Sequence, residues 1–278
     1  MFKKATKQSA KARLLFSGAS GSGKTTAALT VAKELGKSIA FIDTEAGSAS
    51  LYADRFDFDV MEMSPPYAPE RFIEAIEAAE QAGYEVIVID SITHEWSGPG
   101  GCLDIKTKMG DRFQDWAKVT PRHDRFIQAM MRSKAHIIAT VRAKQGYSMD
   151  EKGKVQKSGM DPQQRDGIDF EFTVCWNINA AHMAEAQKDR TRLFDGKPEV
   201  ITPETGQRLA KWLSTGEAPA PAEEAAPVDL RTAIRQHRLA KSTVPGLLVK
   251  LNKANLDECD DAELVRIKNY LEAKEVEA

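Results

Sequence analysis

The chain has 278 residues, of which 42% are apolar, and its 39 lysines and arginines nearly balance its 41 aspartates and glutamates. This length allows one α/β domain with a smaller appendage. The balanced charge excludes recognition of nucleic acid by overall charge, so any contact with nucleic acid requires a local basic patch. Three cysteines without a CxxC pair indicate neither a zinc site nor a disulfide framework, and without a signal-like or membrane-spanning apolar run we expect a cytoplasmic protein that makes no membrane contact.

Strand and helix signals alternate along most of the chain. The predicted strands are Arg13–Ser17, Ser38–Asp43, Glu85–Asp90 and His136–Val141, followed by Phe170–Trp176 and His182–Gln187, which pair at the sheet edge. The predicted helices are Thr25–Leu35, Ala68–Ala82, Pro121–Ser133 and a closing helix at Pro203–Leu213. The alternation predicts an α/β fold with a mostly parallel central sheet flanked by helices. Its ligand site is expected beyond the carboxyl ends of the strands.

Two segments interrupt this alternation and are predicted as long loops. One opens at Ser97 and reaches Pro121, and the other covers Ala143–Gly167. Loops of this length in a compact domain are usually functional or disordered.

The composition changes toward the carboxyl end. Residues 216–228 are rich in alanine, proline and glutamate, which indicates a semi-extended linker. Leucine and isoleucine then recur at helical spacing over residues 229–278, which predicts a small module of about three helices. We therefore expect an α/β core at residues 1–215, the linker, and the helical module.

A glycine-rich turn joins the first predicted strand to the first predicted helix. Residues Gly18–Thr25 fit the P-loop pattern G-x-x-x-x-G-K-[ST], whose backbone N–H groups surround phosphate oxygens at the positive amino end of a helix. Lys24 is expected to reach the β- and γ-phosphates of ATP. The alternative is a chance match in a turn rich in glycine and serine, which the strand before and the helix after it disfavour. The residues assigned to nucleotide binding are Gly18, Ala19, Ser20, Gly21, Ser22, Gly23, Lys24, Thr25, Thr26 and Asp90.

Carboxylates end two further predicted strands. Asp90 ends the run VIVID and is expected to hold Mg²⁺ through water, opposite the hydroxyl of Thr25; otherwise it is a turn residue. Glu45 follows the second strand in FIDTE and is the candidate general base for an attacking water, with an exposed loop acid as the alternative.

Other polar residues near the strand ends have weaker signals. Asp43 is a candidate partner of Mg²⁺ or of the P-loop, and Thr140 and Arg142 are candidate sensors of the γ-phosphate, each with an ordinary strand-end role as the alternative. His94 follows the VIVID strand and is a candidate catalytic residue, whereas His123 and His136 show no partnering pattern; all three are expected to be structural.

The P-loop, FIDTEAGS and VIVIDS together resemble the RecA-like ATPase core, and most closely phage-encoded AAA-type or RecA-like ATPases such as the Sak group of single-strand annealing recombinases. The resemblance covers about Lys11–Thr215. It implies that Glu45 is the catalytic glutamate and that Lys188 and Arg190 act catalytically in a neighbouring subunit's ATP site, which requires self-association in a ring or filament. A solvated basic edge is the alternative for this pair. The chain departs from RecA because only about a dozen residues precede the strand that leads into its P-loop.

The resemblance also places Ala143–Gly167 where RecA-like proteins carry their second DNA-binding loop. The segment has a modest positive excess, and the composition of its tip at residues 150–154 is that of a hairpin turn. An ordinary exposed hairpin is the alternative, and Gln163, Gln164 and Arg165 are equally candidates for contact with the γ-phosphate or a neighbouring subunit. The candidate residues for single-stranded DNA are Lys144, Tyr147, Lys152, Lys154, Lys157 and Arg165.

Three hypotheses remain open at this stage. The first is an Mg²⁺-dependent ATPase that acts on single-stranded DNA in phage recombination or annealing. The second is a P-loop ATPase that acts on a protein, such as a loader or assembly factor, with residues 229–278 contacting a single-strand-binding protein or replication partner. The third is a small-molecule kinase, which Glu45 disfavours because it suits water activation.

Overall fold

The computed structural model describes residues 10–149, 155–215, 230–237, 239–251 and 253–277. By residue contacts the chain divides into two compact units, Met1–Ala218 and Pro219–Ala278. Within the described ranges, none of the helices combines the length and the apolar character that a membrane crossing requires.

The first unit is built on a central sheet to which the described residues contribute nine strands. The strands are β1 (Arg13–Gly18), β2 (Ile39–Asp43), β3 (Asp59–Glu62), β4 (Val86–Asp90), β5 (His136–Met149), β6 (Val155–Pro162), β7 (Val174–Ile178), β8 (Met183–Asp189) and β9 (Glu199–Val200). Their order is β3-β2-β4-β5-β1-β7-β8-β9, and β6 pairs with the far half of β5 as an antiparallel hairpin. The strands from β3 to β7 in this order are mutually parallel, whereas β8 and β9 run antiparallel.

Helices cover both faces of this sheet. They are α1 (Lys24–Leu35), α2 (Pro69–Gln81), α3 (Thr93–Ser97), α4 (Cys102–Lys108), α5 (Trp116–Arg132) and α6 (Pro203–Ser214). One apolar core lies between the sheet and α1 with α6, and a second lies between the sheet and α2 with α5. Alternate residues of β4 enter alternate cores, which is why its sequence is a continuous β-branched run.

The second unit is helical. Its helices are α7 (Leu230–Gln236), α8 (Ala240–Lys250) and α9 (Asp261–Glu277), around a core that includes Ile234, Val244 and Leu264.

The predicted α/β fold with a mostly parallel sheet is confirmed, but the predicted loop from Ser97 to Pro121 is wrong. It contains α4 and the first turn of α5, which begins at Trp116 and carries Pro121 in its interior. Trp116 stacks on Trp96 with ring centroids 5.5 Å apart, a contact between segments that no local pattern encodes.

Two details at the sheet edges also differ from the prediction. β7 and β8 pair as expected, but β9 adds a further strand beyond them, and Phe170 lies in a turn before β7. The four residues of β3 are exposed and pair with β2 at the opposite edge; they are too few and too polar to give a strand signal.

Candidate nucleotide site

The P-loop occupies the turn between β1 and α1. Gly18 has φ +156°, and a Cβ atom there would lie 2.4 Å from the Ile178 carbonyl oxygen, so only glycine allows the turn to leave the sheet this way. Lys24 begins α1, is buried, and its Nζ donates to the Ala19 carbonyl 2.8 Å away. Because Gly23 has no side chain to cap α1, the amides of the first turn are left to an anionic ligand.

Asp90 lies directly beside the P-loop. Thr25 Oγ1 donates to Asp90 Oδ2 at 2.5 Å, and Thr140 Oγ1 donates to Asp90 Oδ1 at 2.5 Å. Burial raises the pKa of Asp90 above its usual range, although both hydroxyls favour the carboxylate. A threonine hydroxyl and a carboxylate in contact are hard oxygen donors of the kind that Mg²⁺ takes in proteins, so these residues fit that ion.

Glu45 is tied to the end of β5. Arg142 Nε donates to Glu45 Oε1 at 2.8 Å, a second guanidinium nitrogen contacts Oε2, and Ser91 Oγ donates to Oε1 at 3.1 Å. Burial alone would raise the pKa of Glu45, but the hydrogen bonds and charge of Arg142 outweigh it and lower the pKa. Glu45 is therefore a carboxylate held in a defined position, not an exposed loop acid.

The lysine and the two carboxylates form one electrostatic group. Burial lowers the pKa of Lys24, and the charges of Asp90 and then of Glu45 oppose this shift. The structure thus brings together the P-loop and both strand-end carboxylates, as the strand order predicts for parallel strands whose carboxyl ends meet at one sheet edge.

The residues around Glu45 organise its loop. Asp43 accepts hydrogen bonds from the backbone N–H groups of Glu45 and Ala49, at 2.6 and 2.9 Å. Both oxygens of Asp43 thus hold this loop, and its predicted role as a partner of Mg²⁺ or of the P-loop stays a prediction. His94 Nδ1 lies 2.7 Å from Thr44 Oγ1, next to Glu45 in the chain, and burial lowers the pKa of His94.

A cavity of about 210 Å³ adjoins the start of α1, and sequence reasoning did not find it. Ser22, Ala27, Ile178, His182 and Val200 are among its lining residues. The Nδ1 atom of His182 lies 2.9 Å from the Ser22 carbonyl oxygen, so the turn between β7 and β8 is anchored to the P-loop. A mostly apolar cavity with one ring and nearby P-loop backbone has the character of a pocket for a planar base.

Lys188 and Arg190 lie away from this chain's P-loop. Lys188 pairs with Cys175, which pairs with Leu15, three residues before Gly18, or about 10 Å along the strand. Lys188 Nζ donates to the carbonyls of Asp169 and Phe170 at 2.7 and 2.6 Å, and Arg190 donates to Phe170 at 2.8 Å. Both side chains therefore lie away from the P-loop of the same chain, and the predicted role toward a neighbouring subunit stays a prediction, with the solvated basic edge as its alternative.

The predicted DNA-binding residues are distributed over the hairpin and the turn after it. Lys144 is exposed on β5. Lys152 and Lys154, and the side chains of Tyr147 and Lys157, lie outside the described residues. Arg165 follows the hairpin and pairs with Asp124 of α5 at 3.0 Å.

Gln164, next to Arg165, is buried. Its Nε2 donates to the Ile92 carbonyl at 2.9 Å, so the hypothesis that Gln164 contacts the γ-phosphate or a neighbouring subunit is wrong.

Comparison with known proteins gives the same type of site. A family model described as an AAA domain matches residues 10–203, which is 194 of the 278 residues. No curated protein matches the sequence. The match includes the P-loop, both carboxylates, the hairpin, and the strand that carries Lys188. The chain therefore belongs to the AAA domain family, which is of the P-loop ATPase type.

Proposed function

We propose that the protein binds ATP with Mg²⁺ at Gly18–Thr26 and hydrolyses it. One observation carries the proposal: a buried lysine, a carboxylate in contact with Thr25, and a second carboxylate with a defined position converge at one helix amino end. This set provides phosphate binding, metal ligation and a proton acceptor, which are the parts that hydrolysis of a phosphoanhydride requires.

Each group of the site has its own role in the proposed hydrolysis. The P-loop amides and Lys24 bind the β- and γ-phosphates, and Thr25 and Asp90 would hold Mg²⁺, which neutralises charge that develops on the phosphate oxygens. Glu45 accepts a proton from the attacking water. Because Arg142 now occupies the oxygens of Glu45, the pair must loosen before Glu45 can act, and the freed guanidinium is then available to the γ-phosphate.

We further propose that the ATPase acts on single-stranded DNA, in recombination or annealing as in the phage proteins that the sequence resembles. The support is the connection of elements: β5 carries Thr140 to Asp90 and Arg142 to Glu45, and then continues into the hairpin. Lys144 is exposed near the hairpin base. Lysines suit phosphate contact and aromatic rings suit base stacking on a single strand.

One observation favours the second candidate, an ATPase that acts on a protein partner. Among the residues of the second unit that the structure describes, Val249, Val265 and Tyr270 are large apolar side chains that are 78%, 42% and 49% exposed. Aromatic residues such as Tyr270 are enriched in protein interfaces. A single-strand-binding protein or another replication protein is the partner class that this candidate predicts.

Phosphate release by the full chain, with and without single-stranded DNA at about 50 mM salt, separates these functions because phosphate contacts are strongest at low salt. We expect Mg²⁺-dependent release without an added acceptor, stimulation by DNA, and loss of both in Lys24→Ala. Release without DNA binding or stimulation would refute the DNA proposal and support the protein partner. Formation of ADP and a phosphorylated product only when a small-molecule acceptor is added, without release of phosphate, would refute hydrolysis.

A further inference from the structure

A second cluster of chemically active side chains lies outside the nucleotide site. Glu95, Cys102 and His123 are 0%, 0% and 3% exposed, and one ligand atom from each lies within 4.8 Å of the others. Cys102 Sγ donates to Glu95 Oε1 at 3.0 Å, and His123 Nδ1 lies 3.1 Å from the same oxygen.

Close packing of three helices builds this cluster. Glu95 lies on α3, Cys102 begins α4 and His123 lies on α5. At Gly101 a Cβ atom would lie 2.6 Å from the carbonyl oxygens of Glu95 and His94, so glycine is needed for α4 to begin against α3. The His123 ring contacts Trp96 edge-on, with centroids 5.3 Å apart, which fixes its orientation.

The charge of the cluster points to a missing positive partner. A fully buried carboxylate is costly unless it is paired. Among the described residues, no lysine or arginine lies within ion-pairing distance of Glu95, and the basic group in contact with it is the imidazole of His123, whose Nδ1 lies 3.1 Å from Oε1. A thiol, an imidazole and a carboxylate with converging ligand atoms are the three ligand types that zinc binds in proteins.

We propose that Glu95, Cys102 and His123 form a zinc site. The two positive charges of Zn²⁺ are balanced by one thiolate and one carboxylate, with a neutral imidazole, so the buried site has no net charge. Binding releases the Cys102 proton to solvent and forms the sulfur–zinc bond. The sulfur ligand favours zinc over magnesium or calcium.

The observed distances agree with this assignment. With bonds of about 2.3 Å to sulfur and about 2.1 Å to nitrogen or oxygen, tetrahedral zinc ligands lie about 3.4–3.6 Å apart. The contacts of 3.0 and 3.1 Å are therefore about 0.3–0.6 Å shorter than the separations in a zinc site, and the third pair, Cys102 with His123, lies within 4.8 Å. Gln164 Nε2 donates to Glu95 Oε2 at 3.3 Å and orients the carboxylate, as neighbours of metal ligands usually do. His123 also lines a surface cavity of about 310 Å³ and is the member of the cluster that borders it.

Such a site would join elements that serve the nucleotide site. It would fix α3, which follows Asp90, to α4 and α5, and Gln164 would connect it to the end of the hairpin. Zinc here would be structural, and its loss would affect stability before chemistry.

The test uses the full chain, first stripped with a chelator and then titrated with Zn²⁺ or Co²⁺. We expect about one zinc per chain by elemental analysis, a higher melting temperature with Zn²⁺ than with chelator, and a thiolate-to-cobalt charge-transfer band with Co²⁺. Cys102→Ser should abolish the charge-transfer band, and His123→Gln should weaken Zn²⁺ binding at least ~10-fold. Cys175→Ser is the matched control, because Cys175 is also a buried free thiol but lies outside the cluster, and it should keep the band and the metal.

Clear results would overturn the proposal. The unsubstituted chain is tested by itself as well, so a variant that fails to fold does not prevent a decision. Absence of a cobalt–thiolate band together with an unchanged melting temperature under Zn²⁺ would mean that the cluster holds no metal and that Glu95 is hydrogen-bonded to Cys102 and His123 alone. A band that persists in Cys102→Ser, or disappears in Cys175→Ser, would place the metal elsewhere.

Discussion

Replacement of Thr140 by valine tests the construction of the carboxylate site. Valine keeps the β-branched shape that β5 requires and removes only the hydroxyl that donates to Asp90 at 2.5 Å. Asp90 is 3% exposed, so water cannot replace the lost donor. A hydrogen bond to a buried charged group contributes about 1.5–3 kcal/mol. For a unit of this size each kcal/mol shifts the melting temperature by about 2–4 °C, so we expect a decrease of about 3–12 °C at neutral pH.

The pH dependence of this decrease separates loss of the hydrogen bond from a packing defect. Burial raises the pKa of Asp90, so the folded state binds this proton more tightly than the unfolded state does. The charged carboxylate therefore destabilises the folded state above that raised pKa, and this destabilisation diminishes as pH falls through it. The lost hydroxyl penalises the charged carboxylate most. The gap in melting temperature between Thr140→Val and the parent should therefore be smaller at a pH below the raised pKa of Asp90 than at a pH above it.

Differential scanning calorimetry without nucleotide and in chelator measures this effect. Thr140→Ser keeps the hydroxyl and loses one methyl group, so it is the matched control and should remain close to the parent. A Thr140→Val protein that melts within about 1 °C of the parent, or a gap that is the same at both pH values, would refute the argument from the Asp90 hydrogen bond.

Three further predictions follow from the site. Glu45→Gln should retain ATP binding and lower kcat by about 10²–10⁴-fold, because an amide cannot accept the proton; an unchanged kcat would exclude Glu45 as the base. Arg142 lowers the pKa of Glu45, so the stability that this pair gives the folded state should be lost as pH falls through that lowered pKa. In Glu45→Gln the melting temperature should therefore decrease less steeply with falling pH than it does in the parent. His182→Ala should raise KM for ATP several-fold with little change in kcat, because the ring lines the cavity beside α1; an unchanged KM would exclude that cavity as the base pocket. Arg190→Ala should lower turnover only in assembled protein, and mixing it with Lys24→Ala chains should restore activity above the sum of the two; simple additivity would refute action in a neighbouring subunit.

The convergence at the nucleotide site was predictable because its determinants are local. The P-loop is one continuous run between an apolar strand and a helix, so its backbone path follows from glycine positions and flanking elements. Asp90 and Glu45 each come after a buried strand, and parallel strands place their carboxyl ends at a common edge. No knowledge of side-chain packing is needed to bring these residues together.

Partnerships between distant side chains were not predictable. Glu45 and Arg142 are 97 residues apart, and nothing in either strand indicates which polar residue at its end takes which partner. The Glu95–Cys102–His123 cluster depends on how three helices pack, and Cys102 lies within the segment whose sequence predicts a loop while Glu95 and His123 lie two residues beyond its ends. Spacing rules find metal ligands that are close in sequence, whereas these ligands become neighbours only through tertiary contacts.

The end of β5 makes two contacts, Thr140 with Asp90 and Arg142 with Glu45, and they differ in how readily they can change. This difference determines which of the two contacts a ligand bound to the hairpin can affect. Thr140 is fully buried and bound to Asp90, whereas the side chain of Arg142 is 42% exposed where it holds Glu45. A displacement of the hairpin therefore reaches the Arg142–Glu45 pair at much lower cost than it reaches the buried carboxylate of Asp90. Stimulation by single-stranded DNA should accordingly raise kcat and leave the Mg²⁺ concentration for half-maximal activity unchanged. If a steady-state Mg²⁺ titration with and without DNA shows that half-maximal concentration shifting while kcat stays constant, the coupling runs through Asp90 and not through Glu45.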